Sequence, residues 1–247
     1  AIPRSRISSV GEFEELNRPG IYFLFGDEAE IGLPQVYIGE ADPLKDRFSA
    51  HKKSKDFWNL AICITSSKDL NKAQIKYLEN LAYTTAKTCK RSRLENKNTP
   101  TKSSLGRKDV YFCDNFFEDV KLILSTLGFS IFRSFEVIKN ETNTFYCKSL
   151  EADSVGIYSE EGILVKKGSK TILEERPGLG KTGRRVRKGL IDEGILKKEK
   201  DHYVFTKDYS FSSPSTASSV ICARSTNGWL TWKDKEGNNL DEVIRKK

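Results

Sequence analysis

Apolar and polar positions along the chain alternate on two different periods. Ile21 to Phe25 and Val36 to Gly39 are short runs rich in aromatic and β-branched residues. Pro19-Gly20 precedes the first, and Gly26, Asp27, Gly32 and Pro34 separate the two. This pattern predicts two strands of a hairpin joined by a long loop. Trp58 to Thr65, with Ala61-Ile62-Cys63-Ile64 inside it, predicts a third strand. Elsewhere the period is helical. Pro43 suits a first helical turn, and a helix is expected over 43–53, with Arg47 and His51 four apart on one face. Asn71 is a candidate cap for a longer helix in which Ile75, Leu78, Leu81 and Ala82 share a face and Glu79 lies at its edge. The basic stretch 90–108, broken by Pro100 and Gly106, reads as a loop. Phe117, Val120, Ile123, Leu124 and Leu127 then predict an amphipathic helix over 116–127.

The pattern changes character after residue 132. Residues 133–150 read as a connector running into new strands, and Gly156-Ile157-Tyr158 to Val165 reads as a hairpin. A basic helix beginning near Arg184 follows, then a strand at 203–206, a turn at Ser212-Ser213-Pro214-Ser215, a helix over 216–223 and a final strand at Trp229-Leu230-Thr231-Trp232. The expected class is α/β in the α+β sense. A small domain over 1–132, with a three-stranded, mainly antiparallel sheet flanked by helices, is joined by a connector at 133–144 to a second small α+β domain over 145–247.

Composition adds a sign to this outline. Among 247 residues, 42 Lys and Arg against 34 Asp and Glu leave a net charge of +8, which favours an anionic partner such as nucleic acid. No run approaches the roughly 18 apolar residues of a membrane span, and no apolar secretory core opens the chain. The expectation is a cytoplasmic protein with no membrane partner; the oligomeric state is not set by the sequence. Five scattered cysteines without a CxxC pair, and two isolated histidines, argue against a zinc site or a disulfide framework.

One set of residues carries chemistry. Gly20-Ile21-Tyr22, Val36-Tyr37-Ile38-Gly39, Arg47 and His51 on one helix and Glu79 on a later one occur in this order on compatible elements. Together they resemble the GIY-YIG nuclease domain, over about residues 15–130. The resemblance implies cleavage of phosphodiester bonds, with DNA as the first expected substrate, using one Mg²⁺ or Mn²⁺ ion. In that scheme Glu79 is the metal ligand, since a hard ion can be held by one carboxylate when waters and substrate phosphate supply the remaining oxygens. Arg47 stabilises the charge that grows on the non-bridging oxygens. Tyr22 is the general base, its phenol lowered by nearby positive charge, and Tyr37 positions nucleophile or phosphate, or the two exchange roles; His51 orients water or relays its proton. Two departures stand out: Glu40 follows Tyr-Ile-Gly where some family members carry lysine, and the loop between the tyrosine strands is long. Asn96 or Asn98 is the candidate for an asparagine found late in many members.

Cations flank this set. Lys45, Lys52, Lys53 and Lys55 are candidates to hold phosphate, and Trp58 to stack a base. In the second half, Lys181 to Lys188 holds five basic residues and no acid; Arg184, Arg185 and Arg187 are the candidates for nucleic-acid binding there. That half also resembles a domain of unknown function that often follows such nuclease modules, through Lys167-Gly168-Ser169, Tyr209 to Ser215, Asn227-Gly228-Trp229 and Trp232-Lys233. Two alternative readings stay open: a catalytically silent scaffold acting as a nucleic-acid adaptor, and a protein-interaction role in which Trp229 and Trp232 form a contact surface.

Overall fold

The computed structural model of the chain describes residues 1–28, 32–48, 55–67, 70–133 and 143–246. The fold is mixed α+β, and the chain divides into two compact units at about residue 134.

The first unit is built on β2 (Gly20–Glu28), β3 (Pro34–Ala41) and β4 (Trp58–Thr65), paired antiparallel with β2 in the centre. Two short edges extend it: β1 (Ile2–Pro3) pairs with β4, and β5 (Arg93–Leu94) runs parallel to β3. The three expected strands therefore form the middle of a five-stranded sheet ordered β1-β4-β2-β3-β5. Strict alternation along the strands buries both faces. Ile21, Phe23 and Phe25 of β2, Val36 and Ile38 of β3 and Ile62 and Ile64 of β4 face one way, under α2 (Lys72–Cys89) and α3 (Arg107–Thr126). Tyr22, Leu24, Ala41 and Ala61 face the other way, against Ile2, Ile7 and Leu16 of the N-terminal segment and Leu44 and Phe48 of α1, helical over 44–48. The tyrosines of the two central strands thus project from the face opposite α2.

Capping explains the start of α2. Asn71 Oδ1 accepts from Gln74 N at 2.9 Å while Gln74 Oε1 accepts from Asn71 N at 3.0 Å, a reciprocal box that fixes the entry of α2. Contrary to the expected start at 116, α3 begins at Arg107, and its buried Cys113, Phe117, Val120 and Leu124 keep the 3,4 period of an inward face.

In the second unit a seven-stranded sheet runs β10-β11-β9-β7-β8-β12, with β6 on β7. Its strands are β6 (Thr144–Lys148), β7 (Asp153–Ser159), β8 (Gly162–Val165), β9 (Lys170–Ile172), β10 (Leu196–Lys198), β11 (His202–Phe205) and β12 (Tyr209–Phe211). The helices α4 (Lys181–Asp192) and α5 (Pro214–Cys222) pack on it and on one another. Residues 228–231 are a helical turn, α6 (Gly228–Thr231), and not the expected strand. Asn227 caps it by accepting from Trp229 N at 3.1 Å, and Trp232 just beyond it is fully buried. A short α7 (Leu240–Ile244) closes the unit. Among the described residues no helix is long and apolar enough to cross a membrane.

Candidate functional site

The geometry of the first unit is set by two glycines. Gly39 of β3 is paired with Tyr22 of β2, and a Cβ at position 39 would collide with the Tyr22 hydroxyl and ring. Gly20 lies so close to the Ile64 carbonyl of β4 that a side chain has no room there. The glycines let the strands and the Tyr22 ring approach, which brings Tyr22 and Tyr37 to a centroid separation of 6.1 Å, with Phe48 edge-on to Tyr22 at 5.5 Å.

Arg47, exposed on α1, hydrogen-bonds to both phenols, and the bond with Tyr22 is the largest influence raising its pKa. Tyr22 itself is fully buried. Burial pushes its phenol far above the ordinary value, the neighbouring Tyr37 adds to this, and the opposing influence of Arg47 does not offset them. The expectation that positive charge lowers the Tyr22 phenol is therefore corrected, because desolvation is the larger effect. Tyr37 is half-buried and carries the Lys55 ammonium 4.0 Å from its ring centroid. Burial, then Lys97, lowers the Lys55 pKa.

Asn96 fixes the same strand from its edge. Its Oδ1 accepts from Ile38 N at 3.0 Å and its Nδ2 donates to Ile38 O at 2.7 Å, so one side-chain amide completes the β3 edge beside Tyr37.

Glu79, on the edge of α2, belongs to the same electrostatic neighbourhood. Its carboxyl is raised to about 7, first by burial and then by Glu40, while Arg47, Lys72 and Lys76 pull it down. Glu40 Oε2 accepts from Lys72 Nζ at 2.6 Å. A cleft of about 300 Å³ opens here, lined by Glu40, Asp42, Asp46, Arg47 and Lys72 among others. Glu79 and Glu40 are carboxylate oxygen donors of the kind a hard divalent ion takes together with water and substrate oxygens, with Lys72 already engaging Glu40. Among the described residues, no three His, Cys, Asp or Glu side chains converge to enclose a metal ion.

The structure thus joins Tyr22, Tyr37 and Arg47 by hydrogen bonds, sets Glu79 within electrostatic reach of Arg47, places the candidate Lys55 over the Tyr37 ring, and adds Glu40 and Lys72. Lys72 was legible in principle, because Lys72, Lys76 and Glu79 are spaced i, i+4, i+7 along one helix face. His51, Lys52 and Lys53, with the end of the helix expected over 43–53, lie outside the described residues. Lys45 is exposed on α1. Trp58, the first residue of β4, is core, clustered with Ile2, Leu24 and Phe48 and with Arg4 over its ring at 5.3 Å, and is not available to stack a base.

In the second unit Arg184 and Arg185 are exposed, and Arg184 pairs with Glu175 at 3.0 Å. Arg187 corrects the sequence reading. Its side chain is 1 % exposed; Nη1 donates to Val220 O at 2.6 Å, and Nη2 donates to Ile172 O and, at 3.1 Å, to Leu173 O. A guanidinium spent on three carbonyls inside the core holds no phosphate. Trp232 is likewise buried, donating from Nε1 to Pro214 O at 3.1 Å, so a surface shared by Trp229 and Trp232 does not exist. Trp229 is half-buried under Arg245, 3.5 Å from its ring centroid.

Residues 145–244 match the family described as Domain of unknown function (DUF4357). No curated protein and no solved structure is detectably similar to the chain.

Proposed function

We propose that the first unit is a metal-dependent nuclease of the GIY-YIG kind, hydrolysing phosphodiester bonds in nucleic acid, with DNA as the first substrate to try. The observation that carries the reading is a single guanidinium, Arg47, hydrogen-bonded to two strand phenols beside a cleft, with the Glu79 carboxyl in the same field. Tyr22, Tyr37 and Arg47, three of the residues the family resemblance singles out, are in hydrogen-bonding contact, and Glu79 is within electrostatic reach of Arg47, which supports the reading.

The chain's residues divide the work as follows. Arg47 faces the cleft and neutralises charge accumulating on the non-bridging phosphate oxygens. Tyr22, buried and with its phenol raised, holds Arg47 in place and is unsuited to removing a proton from water. Tyr37 has access to solvent and takes the role of orienting the attacking water; to act as base it must first release its own phenolic proton to solvent, and the phenolate oxygen then receives the proton from water. An Mg²⁺ or Mn²⁺ ion held at Glu79, with Glu40 beside it, would supply Lewis-acid polarisation and ease deprotonation of water. His51 keeps its assigned part, orienting water or relaying the proton, on the sequence pattern alone.

The test is incubation with single- and double-stranded DNA and RNA, with and without Mg²⁺ or Mn²⁺, beside a Glu79→Gln variant. Cleavage that needs the ion and disappears in the variant supports the assignment; cleavage equal in the variant rejects it. The burial of Tyr22 favours a second reading, a silent scaffold that binds nucleic acid without cutting it. Binding without cleavage under every metal condition selects that reading.

A further inference from the structure

A second cleft, of about 510 Å³, lies within the second unit, between β6 and the turn that follows α6, and the proposed cleavage chemistry makes no use of it. Its walls carry Tyr146, Lys148, Lys233, Asp234 and Lys235. The walls are fixed to one another, because Tyr146 N donates to Lys233 O at 2.7 Å and Lys233 N donates to Tyr146 O at 3.0 Å. The sole acid among these is already engaged. Asp234 Oδ1 accepts from Asn238 N at 2.8 Å and its Oδ2 from Asn238 Nδ2 at 3.0 Å, so it shapes the turn. Lys148 meets Asp153 only at 3.8 Å with both side chains mostly exposed, a pairing water readily displaces. Three lysines and one committed carboxylate thus line the cleft. The Tyr146 ring is half-buried and has Lys148 Nζ 5.2 Å from its centroid.

Such a cleft suits a particular ligand chemistry. Its volume lies in the range of ordinary ligand sites, about 300–1,000 Å³. A basic groove with an aromatic platform is how sequence-tolerant proteins hold unpaired nucleic acid, lysines tracking phosphates while a base lies on the ring. An acidic peptide would use the lysines and leave the ring idle. We propose that this cleft is a subsite for a single-stranded nucleic-acid segment, with a base stacked on Tyr146 and the flanking phosphates held by Lys148, Lys233 and Lys235. It moves the anion-binding surface of the second unit away from α4, and it stands whether or not the first unit cuts.

The experiment uses the full chain and a fluorescein-labelled twelve-nucleotide oligothymidylate in EDTA, so that no cleavage enters, with anisotropy read at about 50 and about 200 mM salt. Tyr146→Leu should weaken binding about tenfold, within the range for loss of one stacked base, while Tyr146→Phe binds as the parent does. Lys233→Glu with Lys235→Glu should weaken binding and reduce the salt slope by about 0.7 for each phosphate left without its lysine. Unchanged affinity in these variants overturns the proposal, and so does equal loss in Tyr146→Phe and Tyr146→Leu, which would leave the ring face without a role. Polyglutamate binding as tightly as the oligonucleotide overturns the choice of nucleic acid. Free thymidine monophosphate competing as well as the strand overturns the choice of a strand.

Discussion

Arg47 and Arg187 are both guanidiniums carried by helices, and the chain surrounds them in opposite ways. Arg47 stands at a cleft with its donors on two phenols, groups that can share a proton and turn away when an anion arrives. Arg187 is enclosed, its donors committed to the carbonyls of Ile172, Leu173 and Val220, so that one side chain fastens α4 to β9 and α5. Burial and the influence of nearby groups oppose each other at Arg187, with desolvation the larger effect on its pKa. A charge is functional where its partners are exchangeable and water can reach it; where its partners are backbone acceptors with no alternative, the charge is structural.

The largest effect that can break this contrast is expected at the buried arginine. Arg187→Ala orphans several acceptors at about 1–3 kcal/mol each, so a loss of about 4 kcal/mol in urea unfolding is expected. Arg187→Lys should recover little of it, since an ammonium lacks the planar fork that reaches three carbonyls. A stability loss under about 1 kcal/mol, together with lost nucleic-acid binding, would put Arg187 back among functional residues.

Arg47→Ala should do the reverse. The proposed cleavage rate falls about 100-fold or more, as when a preorganised donor to a developing anion is removed. Unfolding should shift by about 1 kcal/mol, because the side chain is exposed and the loss is confined to its bond with the buried Tyr22 hydroxyl. A large drop in stability without a change in rate would erase the distinction between the two arginines.

A smaller effect sharpens how the phenols are held. Gly39→Ala drives a methyl group into Tyr22 and should cost about 2 kcal/mol. In Gly39→Ala combined with Tyr22→Leu the collision is relieved, and the two costs should fall short of additive while cleavage stays low. Strict additivity would mean that the ring and the glycine do not meet.

The contrast also marks what the sequence could disclose. The central strands and α2 were legible because apolar alternation and an Asn71 cap state them directly, whereas Tyr22, Tyr37, Arg47 and Glu79 are singled out through the resemblance to the GIY-YIG domain, which spacing alone does not supply. Arg187 was misread for a physical reason. A run of five cations hides its own geometry, although Arg187 lies four residues after Gly183 and three before Leu190, both buried on the inward face of α4. Trp229 to Trp232 suited a strand by composition, but the Asn227 cap decides for a helical turn. The Glu40–Lys72 pair and the amide clasp of Asn96 on Ile38 join residues 32 and 58 positions apart, and no local pattern encodes such pairings.

The smallest effect concerns Glu79 and follows from its titration. Its folded carboxyl is raised to about 7 from 4.5, so the native state holds this proton more tightly than the unfolded chain does. Ionisation therefore costs nothing below pH 4.5, costs progressively more between 4.5 and about 7, and reaches its full penalty above 7. The group is partly open to solvent, and screening reduces the penalty to about 1 kcal/mol. Glu79→Gln, which keeps shape and removes the charge, should raise the midpoint of thermal unfolding at pH 8 by a few degrees in metal-free buffer and leave it unchanged at pH 4. Excess Mg²⁺ should stabilise the parent at pH 8 and not the variant, since an ion that binds only the folded carboxylate adds its binding energy to folding. Equal midpoints for parent and variant at pH 8 would mean that Glu79 is no more burdened than an ordinary surface acid, and the cleft would then have no need of a cation.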